Sequence, residues 1–256
     1  MTSSRRLHHQ RERADSFGAA ARAYDRHRPE YPVRLIDDLV AAGVDNALDV
    51  GAGTGIASGQ LANRGVDVLA LEPDPRMAEL AAEKGIRTQI AKFEEWDAAE
   101  QRFDLVMFAQ SFHWVDPDVA LPKVRQLLTD RGHLALAWNR MFPVAPSRSD
   151  FAPIYRDYME PGSPLVTATP TAEGLDVARV DDVLENAGFT VRQHIYQREA
   201  HYDRDEWLDL VFTYSNHLVL PAGKASELRD RLATHIGTAG VTVGGDALLI
   251  TARPRA

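Results

Sequence analysis

A chain of 256 residues with 45% hydrophobic and 26% charged residues is long enough to bury a full core and too apolar to remain disordered. Its 29 Lys and Arg against 37 Asp and Glu leave a net charge of -8, which repels a phosphate backbone, and the lack of cysteine excludes disulfides, thiolate nucleophiles and Cys-ligated zinc. No stretch reaches the roughly 18 uncharged apolar residues of a spanning helix, and the polar, Arg-rich residues 1–13 carry no apolar core of a signal peptide. The expectation is a cytoplasmic monomer or homodimer that engages neither membrane nor nucleic acid.

The first periodic segment, Arg11 to Asp25, places Phe17, Ala20, Ala21 and Tyr24 on one helical face. Pro29 and Pro32 then break the chain before a helix over 33–42, so residues 1–42 read as a helical lid. Short apolar runs at 47–50, 66–71, 88–91, 103–108 and 133–138 predict strands. Between them, 56–64, 75–84 and 119–128 carry apolar residues at three-to-four spacing, with Asp74 and Asp118 placed as N-caps and Gly65 and Gly85 as stops. Residues 141–170 hold prolines at 143, 146, 153, 161, 164 and 170 without a clean period, which predicts an insertion over 141–180 draped on the site. A helix at 180–187, a strand at 189–196, helices at 203–214 and 223–236 and a strand at 247–252 complete one domain over 1–256. Strands alternating with helices predict a mostly parallel seven-stranded α/β sheet covered on both faces.

Residues 48–55 read LDVGAGTG, an apolar strand running into Gly51, Gly53 and Gly55 and then a helix. Glycine at such a turn lets backbone approach a ligand without a side-chain clash, as at nucleotide sites on strand ends; Asp49 and Ala52 belong to the same segment. In nicotinamide proteins the third glycine falls three after the second, where this chain has Ile56. Glu72, 21 residues after Gly51, ends the second strand where a carboxylate can accept both ribose hydroxyls, and Pro73 follows it. After the fourth strand come Ala109 and Gln110 and then Ser-Phe-His-Trp, outside the carboxyl ends of strands where ligands of open α/β sheets sit. His113 is the one histidine in a predicted site loop, and its near-neutral pKa suits a general base. No H-E-x-x-H, carboxylate triplet or Cys/His cluster appears, so no metal is expected.

The G-x-G-x-G spacing resembles motif I of the class I S-adenosylmethionine-dependent methyltransferases. AQSFHWVD at 109–116, YDRHRPEYP at 24–32, AWN at 137–139 and YSNHLVLPAG at 214–223 are together similar to the trans-aconitate methyltransferase-like branch. The resemblance implies a Rossmann-like sheet of order 3-2-1-4-5-7-6, S-adenosyl-L-methionine as methyl donor and S-adenosyl-L-homocysteine as product. It also implies that Tyr24 and Arg28 close over the cofactor, Arg28 meeting its methionine carboxylate, and that Phe93 and Glu94 flank the adenine. The strand-four loop lacks the Asn/Asp-Pro-Pro-aromatic motif of amino methyltransferases acting on adenine or glutamine, which argues against nucleic-acid bases as acceptors; the expected acceptor is a small molecule methylated on oxygen, with nitrogen and carbon as the alternatives. His113, Trp114, Trp138 and Asn139 are its expected pocket. Phe142, Phe151, Tyr155 and Tyr158 are expected as aromatic walls, and Arg148 and Arg156 as receivers of an acceptor carboxylate. A nicotinamide oxidoreductase and a catalytically silent cofactor-binding module are the alternatives.

Overall fold

The computed structural model describes residues 18, 20–41, 43–168 and 177–255. Most of the helix expected from residue 11 lies outside these; the described part is α1 (Ala21–His27), followed by α2 (Val33–Val40). The parallel half of the sheet consists of β1 (Asn46–Val50), β2 (Asp67–Glu72), β3 (Arg87–Ile90), β4 (Phe103–Ala109) and the start of β5 (Leu128–Ala145). It is linked by α3 (Ile56–Ala62), α4 (Pro75–Glu83) and α5 (Pro117–Leu127). The strand order is 3-2-1-4-5-7-6, as the resemblance implies. Asp49 of β1 is level with Ala70 of β2 and Met107 of β4, so the glycine turn opens at the carboxyl edge beside the ends of its neighbours. Central strands are buried on both faces and read as continuous apolar runs for that reason. One core lies on the Phe103, Phe108 and Leu184 side, the other under Leu35, Ile36 and Leu61.

Several boundaries differ from expectation. The helix expected at 119–128 starts at Pro117, and its N-cap is Asp116, whose carboxylate accepts from the Asp118 N–H at 3.0 Å; Asp118 itself lies in the first turn. Residues 141–145, expected in an irregular insertion, continue β5 in antiparallel register with β7 (Val241–Pro254). Pro143 is tolerated because the register shifts between Pro143 and Ala145. Gly245, at φ +140°, lets β7 cross closely, since a Cβ there would stand 2.1 Å from the Arg140 carbonyl oxygen.

β6 (Phe189–Tyr202) pairs with the whole of β7, so both strands run longer than their apolar centres suggest. The extended ends of β5, β6 and β7 carry a third core, built from Phe151, Trp207, Leu228 and Leu232. That core packs α6 (Arg148–Tyr155), α9 (Arg204–Val211) and α11 (Ala222–Ile236), with α7 (Pro164–Thr167) and α10 (Ser215–Leu218) at its rim; α8 (Val177–Asn186) covers the other face. Among the described residues no helix is long and apolar enough to cross a membrane.

Candidate functional site

A single cavity of about 700 Å³ runs from the glycine turn along the carboxyl edge to the third core, a size within the ~300–1,000 Å³ typical of small-molecule sites. At its first end each glycine meets a different demand. Gly53, at φ +59°, faces open space except for Met77 Cε, which a Cβ would meet at 3.5 Å; any side chain here would enter the cavity. Gly51 instead admits Ser111, whose Cβ would stand 2.7 Å from an added Cβ. Gly55 does not line the cavity: at φ +78° it starts α3, and a Cβ would press on the Ala81 Cβ of α4 at 3.0 Å. Its glycine serves helix packing rather than a ligand.

Glu72 Oε2 accepts the Gly53 N–H at 2.8 Å and Oε1 the Asp74 N–H at 2.9 Å, so a buried carboxylate is fixed at the cavity wall beside Pro73. Burial pushes its carboxyl up to about 7, against the pull of those two hydrogen bonds. Asp49 lies behind the turn, fully buried and outside the cavity lining; the Ser58 hydroxyl donates to it at 2.6 Å, and burial raises its carboxyl to about 6. Ala52 faces a smaller pocket beside Tyr31. Asp49 and Gly55 thus shape the turn from outside the cavity lining, whereas Ala52 lines the smaller pocket together with Tyr24, Arg28, Gly51 and Gln110.

Phe93 and Glu94 both reach the cavity. Phe93 is also core, edge-on to Phe108 at 5.5 Å, and the Lys123 ammonium of α5 donates to the Phe93 carbonyl at 2.6 Å and to that of Trp96. Glu94 Oε1 accepts the Asp116 N–H at 3.2 Å.

At the ends of β4 and β5, Ala109, Gln110, His113, Trp114 and Trp138 line the middle of the cavity. Gln110 adopts φ +62°, its N–H bound to the Ala137 carbonyl at 2.8 Å, which turns the chain into a helical turn over Phe112–Trp114. His113 and Trp114 tilt against each other at 4.9 Å. Trp138 is buried, and its Nε1 has no hydrogen-bond partner. Asn139 lines the cavity, yet its amide donates to the carbonyls of Pro29 and Glu30 at 3.2 and 3.4 Å and accepts from Arg198 at 2.7 Å. It stitches the N-terminal segment to β5, which the expected acceptor role left out. Tyr24 and Arg28 close the same end. The Arg28 guanidinium donates twice to Thr213, at 2.9 Å each, and lies over the rings of Tyr24 and Tyr214 at 4.7 and 4.1 Å.

The family of the methyltransferase domain matches residues 48–136, from β1 through the parallel part of β5. That match covers about a third of the chain. An uncharacterized methyltransferase of Mycobacterium tuberculosis is 41% identical over 141 residues, 54% of this chain and 56% of that protein. A malonyl-[acyl-carrier protein] O-methyltransferase of Herminiimonas arsenicoxydans is 29% identical over 124 residues, covering 46% of this chain and 48% of that protein. The matched region thus spans about half the length of these relatives. A proposed type II methyltransferase of Anaeromyxobacter dehalogenans superposes with a TM-score of 0.61 over 89% of this chain and 97% of its own, at 20% identity, which speaks for the fold. S-adenosylmethionine is the cofactor of the domain, and the chain's residues fit it: an anchored carboxylate at Glu72 and a wall at Gly53 that a Cβ would fill.

Beyond the methyltransferase domain the cavity continues into a lobe that the sequence outlined only in part. Phe142, Arg148, Phe151 and Tyr155 line it as expected, whereas Arg156 is exposed and Tyr158 lies against Lys224 and Arg231 outside it. Arg156 is thereby removed as a carboxylate receiver. The lobe adds residues the sequence did not single out: the Arg140–Asp246 ion pair at 2.6 Å, Trp207 of α9 and His217 of α10. His217 shares a 3.1 Å hydrogen bond with the Tyr155 hydroxyl, and its Nδ1 has no partner. Burial, helped by Arg28, drops the imidazole to about 3, which keeps it neutral. Its one sequence signal was a histidine in a late aromatic segment.

Proposed function

We propose that the chain transfers the methyl group of S-adenosylmethionine to an oxygen of a small molecule, releasing S-adenosylhomocysteine. The observation that carries this reading is the continuity of one cavity from Gly53 and Glu72, past Trp138, into an aromatic lobe holding Arg148. Bound S-adenosylmethionine supplies a methyl group on a sulfonium, already a strong electrophile, so the chain's work is to position and to exclude water. Glu72 accepts the ribose hydroxyls, Phe93 and Glu94 flank the adenine, and Tyr24 and Arg28 cover the methionine end. His113, Trp114 and Trp138 border the acceptor oxygen; His113 is the candidate base for an acceptor that arrives protonated. Arg148 favours an acceptor that carries an anionic group, and the Herminiimonas relative is an O-methyltransferase.

The test is calorimetric titration with S-adenosylhomocysteine and with NAD, followed by product release against carboxylic acids and phenols. Micromolar S-adenosylhomocysteine binding and turnover of an oxygen acceptor are expected. Preference for NAD, or cofactor binding without turnover of any acceptor, would overturn the reading.

A further inference from the structure

We infer that Arg148 is a distal anchor, which holds an anionic group at the end of the acceptor remote from the methylated atom, so that the acceptor is elongated and apolar in its middle. This rests on the methyl-transfer reading and narrows its substrate class.

Trp138, Arg140 and Phe142 alternate along β5 and so share one face, and all three line the cavity. Trp138 marks the reacting end, because the carbonyl of the preceding Ala137 fixes Gln110 at the tip of β4. Four residues of strand place Phe142 roughly 13 Å further along at ~3.3 Å per residue. The Arg148 charge sits with Phe142, 5.4 Å from its ring centroid, at the start of α6. It therefore belongs to the far end of the cavity, not to the atom that receives the methyl group.

The stretch between offers little to a second charge. Arg140 is matched by Asp246 at 2.6 Å, and the Tyr155–His217 pair is neutral. Phe151 and Trp207 supply apolar wall. An anion in so apolar a lobe is costly unless a cation meets it, and a half-buried guanidinium suits a carboxylate or phosphate by paired hydrogen bonds. The ligand class is thus an apolar body spanning the lobe with an oxyanion at its far tip.

The experiment uses the full chain saturated with S-adenosylhomocysteine and titrates decanoate, decanamide and butanoate by calorimetry. Decanoate should bind at least about tenfold more tightly than neutral decanamide, the scale of one charge-assisted contact, and butanoate should bind more weakly than decanoate. Arg148→Met should erase the advantage of the acid, Arg148→Lys should restore part of it, and both variants should keep wild-type affinity for S-adenosylhomocysteine, which also reports that they fold. Equal affinity of wild type for decanoate and decanamide, no binding of decanoate, or an advantage of the acid that survives Arg148→Met would overturn the inference. Failure of wild type to bind S-adenosylhomocysteine would instead overturn the methyl-transfer reading on which it stands.

Discussion

Replacing Glu72 with Gln should make the chain more stable at alkaline pH while weakening its grip on the cofactor. Burial raises the Glu72 carboxyl from 4.5 to about 7 in the folded chain. Between those values the native state keeps a proton that the unfolded state has released. The side chain's contribution to stability is therefore complete below about 4.5 and is lost as pH rises through about 7. The difference corresponds to about 3 kcal/mol by pH 8.5. Gln is neutral throughout and escapes that loss, but its single oxygen cannot serve both the Gly53 and Asp74 N–H groups, at a cost of about 1 kcal/mol. The net expectation is a variant about 2 kcal/mol more stable than wild type at pH 8.5 and slightly less stable at pH 5. Asp49, raised to about 6 by burial, titrates in the same sense in both proteins and leaves a common slope. Urea unfolding at pH 5 and pH 8.5 reads the difference, and S-adenosylhomocysteine titration should show affinity reduced by about 2 to 3 kcal/mol. Parallel pH profiles for the two proteins, or a variant less stable than wild type at pH 8.5, would refute the assignment of an uncomfortable buried carboxylate to this position.

Gly53→Ala and Gly55→Ala should separate binding from stability. The first should lose at least about tenfold in S-adenosylhomocysteine affinity for roughly 1 kcal/mol of backbone strain, and the second should lose about 2 kcal/mol or more in urea unfolding while binding normally when folded. The reverse pattern would show that the glycines have been assigned the wrong way round. Lys123→Met should loosen the Phe93–Trp96 loop and weaken cofactor binding about tenfold without raising the acceptor KM; an unchanged cofactor affinity would show that the loop holds itself. Amide exchange across residues 20–32 should slow when S-adenosylhomocysteine is added, and equal rates with and without it would remove the lid role from Tyr24 and Arg28.

The cofactor end was largely legible because its signals are local: Gly51, Gly53 and Glu72 follow from the demands of one turn and one strand end. Even there, spacing alone could not divide the glycines between ligand and packing, since what a Cβ at Gly55 would strike is Ala81, 26 residues on. The acceptor lobe was far less legible. Pro143 and Pro146 look like loop, and the Gly244–Gly245 pair interrupts the alternation of β7, while the pairing that makes 141–145 a strand comes from partners about a hundred residues away. His217 was hidden for the same reason. Nothing near it in sequence says that Tyr155 of α6 will meet it.

The place of β7 in the sheet has a consequence for synthesis. Among the described residues β6 joins the sheet through β7, which leaves the ribosome after the other six strands of the sheet. Until residue 254 has emerged, the nascent protein carries the 18-residue β5 with one hydrogen-bonding edge bare, including the wholly apolar Leu134–Trp138. The half that holds the cofactor can assemble as it is made, from neighbours in sequence. The half that grips the acceptor must wait for a closure between segments about a hundred residues apart, which is slow and leaves a strand edge open to other chains meanwhile. Holdase chaperones should therefore favour ribosome-bound chains stalled before residue 241 over those that have released β7.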